Sequence, residues 1–175
     1  MSFERRICRL EMDYGIFTRF LLSNYDELNM PYPFSMSLSF MASPMVLGQA
    51  VLVYREDPYE AVGAFGFVYG TGEHQYEDRR ICQIAIAFLK EQYQRTPLLL
   101  VCMRELLKII ENGNAETEEI QFWISSNHPG ARLFARLGQL QSATCETGQG
   151  DMLLYRIPIH SMKAYCRVKQ TKSCE

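Results

Sequence analysis

Apolar residues in this chain follow two different periods, and the change from one to the other falls between Ile81 and Ile110. The segment ICQIAIAFL, from Ile81, is apolar except at Gln83, which predicts a strand covered on both faces. The polar stretch KEQYQRT follows, and then PLLLVCMRELLKII, where Leu99, Met103, Leu106 and Ile110 fall at the spacing of one helix face. Thr96 and Pro97 read as the N-cap and first position of that helix, because a hydroxyl can take an orphan amide and proline lacks only a donor that is unpaired anyway. Amides at a helix N-terminus can hold an anion, although strand, loop and helix also connect in this way for purely structural reasons.

The same reading covers the rest of the chain. FERRICRL predicts a first strand over 3–10, and Asp13 is placed to cap a helix over 14–28 with Phe17, Phe20, Leu21, Asn24 and Leu28 at helical spacing, ended by Pro31 and Pro33. PFSMSLSFMASPM predicts a short helix stopping before Pro44. Its methionines can either line an apolar pocket or simply cover a sheet. Residues 49–54 and 61–69 predict two antiparallel strands joined through Glu56, Asp57 and Pro58, with Gly63 and Gly66 marking a bulge or a close approach. Asn112, Gly113 and Asn114 end the central helix. IQFWIS predicts a strand and ARLFARLG a short helix closed by Gly138. Two last strands follow near 140–146 and 151–157, with Gly148, Gln149 and Gly150 as their turn. Residues 158–175 read as a basic, polar and loosely ordered extension, which leaves one α+β domain over 1–157.

Composition narrows the function classes. With 47% hydrophobic and 22% charged residues the 175-residue chain has the make-up of an ordinary globular protein, and its net charge of −2 gives no sign of a nucleic-acid or membrane partner. No apolar run reaches the roughly 20 residues that cross a bilayer, and MSFERRICRL is charged rather than signal-like, so a soluble cytoplasmic protein is expected. Six scattered cysteines form no C-x-x-C pair, and three histidines lie far apart, so neither a disulfide framework nor a metal site is expected. Titratable residues beside the central strand concentrate in GTGEHQYEDRR. There Glu73, His74 and Glu77 are candidate general bases, or members of a solvated loop.

Element order and local motifs together resemble the GCN5-related N-acetyltransferase (GNAT) family. The resemblance rests on SSNHPGARLFARLGQ, which sets Asn127, Phe134 and Gly138 at the spacing of that family's Asn, aromatic and Gly. It rests also on IAFLKEQYQRTPLLL, which resembles its acetyl-CoA segment and begins with Tyr93 and Gln94, and on ICRLEMDYGIF at the start. The resemblance implies a mixed, mostly antiparallel sheet of about seven strands flanked by about four helices. It implies acetyl-CoA as co-substrate and direct attack by a small-molecule or protein amine. Backbone at Ala87, Phe88 and Leu89 would bind the thioester arm, Gln94, Arg95 and Thr96 the pyrophosphate, and Asn127 and Phe134 the pantetheine.

Three departures stand against it. Arg95, Pro97 and Leu99 replace the glycines of the phosphate turn, and Pro97 removes a donor, although Arg95 can pair with phosphate oxygens and Leu99 belongs to the apolar stripe. Phe134 lacks the hydroxyl that the resemblance would use to protonate the leaving thiolate, and Gln83 cannot act as a base. The alternative is therefore a GNAT-like module that senses a ligand or binds a partner without catalysis. Asn127 could equally be a turn residue before Pro129, and Phe134 plain core.

Overall fold

The structure, a computed structural model, describes residues 2–30, 32–94, 96–126, 134–136, 138–147 and 150–171. Its elements in chain order are β1 (Phe3–Ile7), α1 (Glu11–Ser23), α2 (Tyr25–Leu28), α3 (Phe34–Leu47), β2 (Gly48–Glu56), β3 (Tyr59–Tyr69), β4 (Ile81–Leu89), α4 (Glu91–Gln94), α5 (Leu98–Gly113), β5 (Glu119–Ser125), β6 (Gln139–Thr147), β7 (Gly150–Pro158) and α6 (Ile159–Thr171). The strand order is β1-β2-β3-β4-β5-β7-β6, and the expected α+β class with about seven strands holds. No helix among the described residues is long and apolar enough to cross a membrane. The chain divides into two compact units, Met1–Val68 with Ile84–Cys102 and Tyr69–Gln83 with Met103–Glu175.

In the first unit β1, β2 and β3 form an antiparallel meander, and β2 and β3 are the expected hairpin across a cis Asp57–Pro58 peptide. The register slips between Val53 and Tyr54, opposite Gly63 and Ala61, so the bulge read from the glycines is present. Gly63 also meets the close approach: a Cβ there would lie 2.3 Å from Leu89 Cδ2 and 2.9 Å from the Phe88 carbonyl oxygen. The core gathers Phe17, Phe20 and Leu21 of α1 with Met41, Leu52, Ile86 and Phe88.

Two helices depart from the expectation. Asp13 is not the N-cap of α1 but sits one turn inside it, where its Oδ2 accepts the backbone N–H groups of Arg9 and Leu10, both at 3.1 Å. Those two amides hold its carboxyl below the ordinary value. It thus answers orphan amides of the helix start from the third helical position, and α1 ends at Ser23, with Tyr25–Leu28 a separate turn. Pro44, expected to stop α3, lies inside it. Proline cannot donate to the Phe40 carbonyl, but Ser43 Oγ does so at 3.0 Å, and the buried ring of Pro44 rests over Gly66, where a Cβ would come within 2.5 Å of it. The lost backbone bond is replaced, and the ring has a site where no side chain competes.

In the second unit β4 runs parallel to β5 over Ile81–Gln83, while β5, β7 and β6 are antiparallel neighbours. The expected loose end is instead α6, whose Ile159, Met162 and Cys166 are buried on one face and whose Lys163 Nζ donates to both carboxylate oxygens of Glu111 at 2.8 Å. The three apolar residues recur at i, i+3 and i+7, a helical stripe that the surrounding charge conceals.

Candidate functional site

β4 is not covered evenly. Gln83, Ile84 and Ala85 are half-buried and Ala87 is exposed between buried Ile86 and Phe88, so a strand expected to be closed on both faces is open to solvent at Ala87. Phe88 and Leu89 anchor that end in the core, with the Phe88 ring 5.9 Å from Phe20.

After Leu89 the chain closes on itself. Gln94 Nε2 donates to the Leu89 carbonyl oxygen at 2.9 Å, and Tyr93 is buried, its ring edge-on to Phe3 at 5.7 Å. Thr96 Oγ1 accepts the Leu98 amide at 3.3 Å and donates to the Tyr93 carbonyl at 2.7 Å, while the Val101 amide reaches the Pro97 carbonyl at 3.1 Å. Thr96 and Pro97 therefore cap α5 as their order in the chain predicts. Donors in this turn point inward: the Thr96 amide goes to the Tyr93 carbonyl, and Pro97 has none to offer. Leu99 is corrected. It is 38% exposed, and the buried line of α5 runs Leu98, Cys102, Leu106 and Ile110. Steps of four drift about 40° round a helix, so this line crosses the helix obliquely and leaves Leu99 outside it in the first turn.

In the second unit the 70–80 loop is built around Asp78. Its Oδ1 accepts the Thr71 amide at 2.6 Å and its Oδ2 the Thr71 hydroxyl at 2.7 Å. Partial burial opposes the charge, but the hydrogen bonds from Thr71 outweigh it, and the carboxyl lies below its ordinary value. His74 Nδ1 is 3.1 Å from Thr71 Oγ1 and 3.3 Å from Asp78 Oδ2. Because the Thr71 hydroxyl gives its proton to Asp78, Nδ1 is the nitrogen that carries hydrogen toward this pair. Nε2 is then left as the acceptor of the neutral ring. Gly70, at φ +84°, packs against the Tyr76 backbone, where a side chain would have no room.

The sequence-predicted residues thus fall into two groups. Ala87, Phe88, Leu89, Gln94 and Thr96 are brought together at the end of β4. Glu73, His74 and Glu77 share one loop and are exposed, and His74 alone of the three bonds to the Thr71–Asp78 pair. Phe134 packs edge-on to Phe122 at 4.8 Å and near Tyr155 at 6.1 Å, an aromatic cluster. Arg95 and Asn127 lie outside the described residues. The organising part of Thr71 and Asp78 is the feature that sequence reasoning missed, and a Thr seven residues before an Asp is no recognisable signal. Cysteine chemistry is disfavoured: burial pushes Cys8 up to about 12 and Cys82 up as well, so both are neutral thiols at pH 7.

No family model matches this sequence, and no curated protein is significantly similar to it. Solved structures do resemble it. FeeM, an N-acyl amino acid synthase from uncultured soil microbes, matches with a TM-score of 0.64 at 9% identity, over 93% of this chain and 94% of its own. A GNAT-family acetyltransferase from Staphylococcus aureus Mu50 matches at 0.60 and 14% identity, over 89% and 99%. A variant of SpeG, the spermidine N-acetyltransferase of Vibrio cholerae, matches at 0.59 and 11%, over 91% and 95%. At such identities the likeness is one of architecture, and over about nine-tenths of the chain it shows that the chain has the GNAT acetyltransferase fold.

Proposed function

We propose that the protein transfers an acyl group, most simply acetyl, from an acyl-CoA thioester to an amine. The observation that carries this reading is the end of β4, where Ala87 is exposed between buried neighbours and so offers an extended thioester arm a place on the strand, while Phe88, Leu89 and Gln94 hold that strand end still. In the reaction the amine nitrogen attacks the thioester carbonyl, the carbon–sulfur bond breaks, and the amine proton passes to a base. Among Glu73, His74 and Glu77 the base assigned here is His74, because its ring is oriented through Nδ1 and keeps Nε2 for the proton. Arg95 is the residue assigned to the pyrophosphate, since a guanidinium can grip phosphate where the Tyr93 and Thr96 amides are already bonded and Pro97 has none. The acceptor is a small-molecule or protein amine, and spermidine, the acceptor named for SpeG, is one to include in a screen.

The inward-turned donors of the 90–98 turn favour a second reading, in which the fold is kept as a sensing or interaction module without catalysis. Calorimetric titration with acetyl-CoA, longer acyl-CoAs and CoA separates the two. Micromolar binding that is lost in Arg95→Ala, with a stabilisation of about 2.7 kcal/mol at 100 times Kd, is the expected result. Absence of binding by every acyl-CoA would overturn the enzyme reading.

A further inference from the structure

The first unit carries an open concavity of about 700 Å³ along α1, lined by Glu11, Gly15, Thr18, Arg19, Leu22 and Met45 among others. Glycine in the middle of a helix is normally destabilising, and at Gly15 no local crowding explains it: a Cβ there would meet nothing within 4 Å. Glu11, Gly15 and Arg19 are all exposed and lie on one i, i+4, i+8 line of the helix, with Gly15 midway between the two charges. The charges stand about 12 Å apart along the axis, too far to pair with each other. Neither has an ion-pair or hydrogen-bond partner among the described residues. Exposed Met12 (66%) and Leu22 (42%) border the same line.

We propose that this face of α1 docks on the same face of a second copy of the chain, antiparallel, with the two Gly15 positions at the crossing. A two-fold axis through the two Gly15 positions sets the residue four places before Gly15 opposite the partner's residue four places after it. Each Glu11 then meets the partner's Arg19, and both charges of both copies are matched. The i±4n lines of two helices align when they cross at about −50°, the commonest helix packing, and the absent side chain at Gly15 lets the backbones approach. No other occupant is matched so closely, since the line is self-complementary: it presents one positive and one negative charge at equal distances from its own centre.

The test is a charge exchange read by sedimentation over a range of concentrations. The unaltered chain should dimerise. Glu11→Arg and Arg19→Glu, each alone, should be monomeric, because each then repels its own copy. An equimolar mixture of the two should form a heterodimer, and the double variant Glu11→Arg with Arg19→Glu should dimerise again. Gly15→Leu should abolish the dimer while the monomer melts no lower, as leucine is the better helix former and the site is open. A monomer at every concentration, or a dimer indifferent to these exchanges, would overturn the proposal.

Discussion

Two polar connections precede and follow β4 in the chain, and they are built on opposite principles. The 70–80 loop is organised by a charge: Asp78 takes two hydrogen bonds from Thr71, and the pair steers His74 so that one ring nitrogen is free for other work. The 90–97 turn is organised chiefly by neutral groups: the Tyr93 and Thr96 amides and the Thr96 hydroxyl answer carbonyls within it, while the Lys90 amide and the Gln94 side chain reach back to the Val62 and Leu89 carbonyls. In the first, the dense ionisable residues divide into one that folds the loop and others that face solvent. In the second, a helix N-terminus that could hold an anion has its nearest donors already engaged. A cluster of titratable residues therefore marks where charge is needed for folding as readily as where protons move, and a capped helix end is an anion site only if its donors are unbonded.

The sharpest way to break this comparison is at His74. If Asp78 folds the loop while His74 works at its surface, His74→Ala should lower kcat/KM for acyl transfer by about 10²-fold or more. Its stability should change by no more than about 0.5 kcal/mol, since the side chain is 59% exposed. Equal rates for variant and parent would return His74 to the scaffold.

Asp78→Ala comes next. Thr71 is 1% exposed, so its amide would be left without an acceptor in the interior and its hydroxyl with only the His74 ring to turn to. The expected loss is about 2–3 kcal/mol in urea unfolding, with a smaller loss for Asp78→Asn, which keeps one oxygen. The pH dependence follows in sign. The folded carboxyl titrates below its unfolded value of about 3.9, so the folded state binds fewer protons there. The Asp78 contribution is complete above about pH 5 and is lost as pH falls through the lower folded value. The Asp78→Asn chain should show a correspondingly shallower acid limb.

The 90–97 turn responds less. Thr96→Ala removes the acceptor for the Leu98 amide and should cost about 1 kcal/mol, with Thr96→Ser close to the parent. A cost near zero would show that other groups cap α5.

What could be read from sequence follows the range of the interaction responsible. The β2–β3 hairpin, its glycine bulge and the Thr96–Pro97 start of α5 are local matters, and local rules found them. Pro44 escapes the reading because the rule that proline stops a helix is local. Its exception needs Ser43 to replace a bond and Gly66, on another element, to clear a space. Residues 158–175 read as a loose end because their charge hides the short apolar stripe of α6, and Leu99 reads as core because angular position on a helix does not say how far its cover extends. At the candidate site the residue types were visible, but the partner of each was not. In the sequence Asp78 is one acid among several in its loop, and only the fold sets Thr71 against it.

Gln94 gives the smallest effect and the most direct measure of how inward the turn is. By sequence it belongs with Arg95 and Thr96 on a pyrophosphate, whereas in the fold its Nε2 holds the Leu89 carbonyl. The Leu89 oxygen can take water if the side chain is removed, so Gln94→Ala should cost only about 0.5–1 kcal/mol. If the amide serves the strand end alone, acyl-CoA affinity should fall no further than the looser backbone of Ala87–Leu89 requires, a few-fold, and Gln94→Glu should behave like the alanine variant because it lacks the N–H that donates. If Gln94 instead leaves Leu89 to grip phosphate, affinity should fall more steeply in Gln94→Glu than in Gln94→Ala, since the new carboxylate would repel the anion. Comparing the two variants by titration at low and high salt reads the difference, because a carboxylate in contact with phosphate makes it large and strongly dependent on salt.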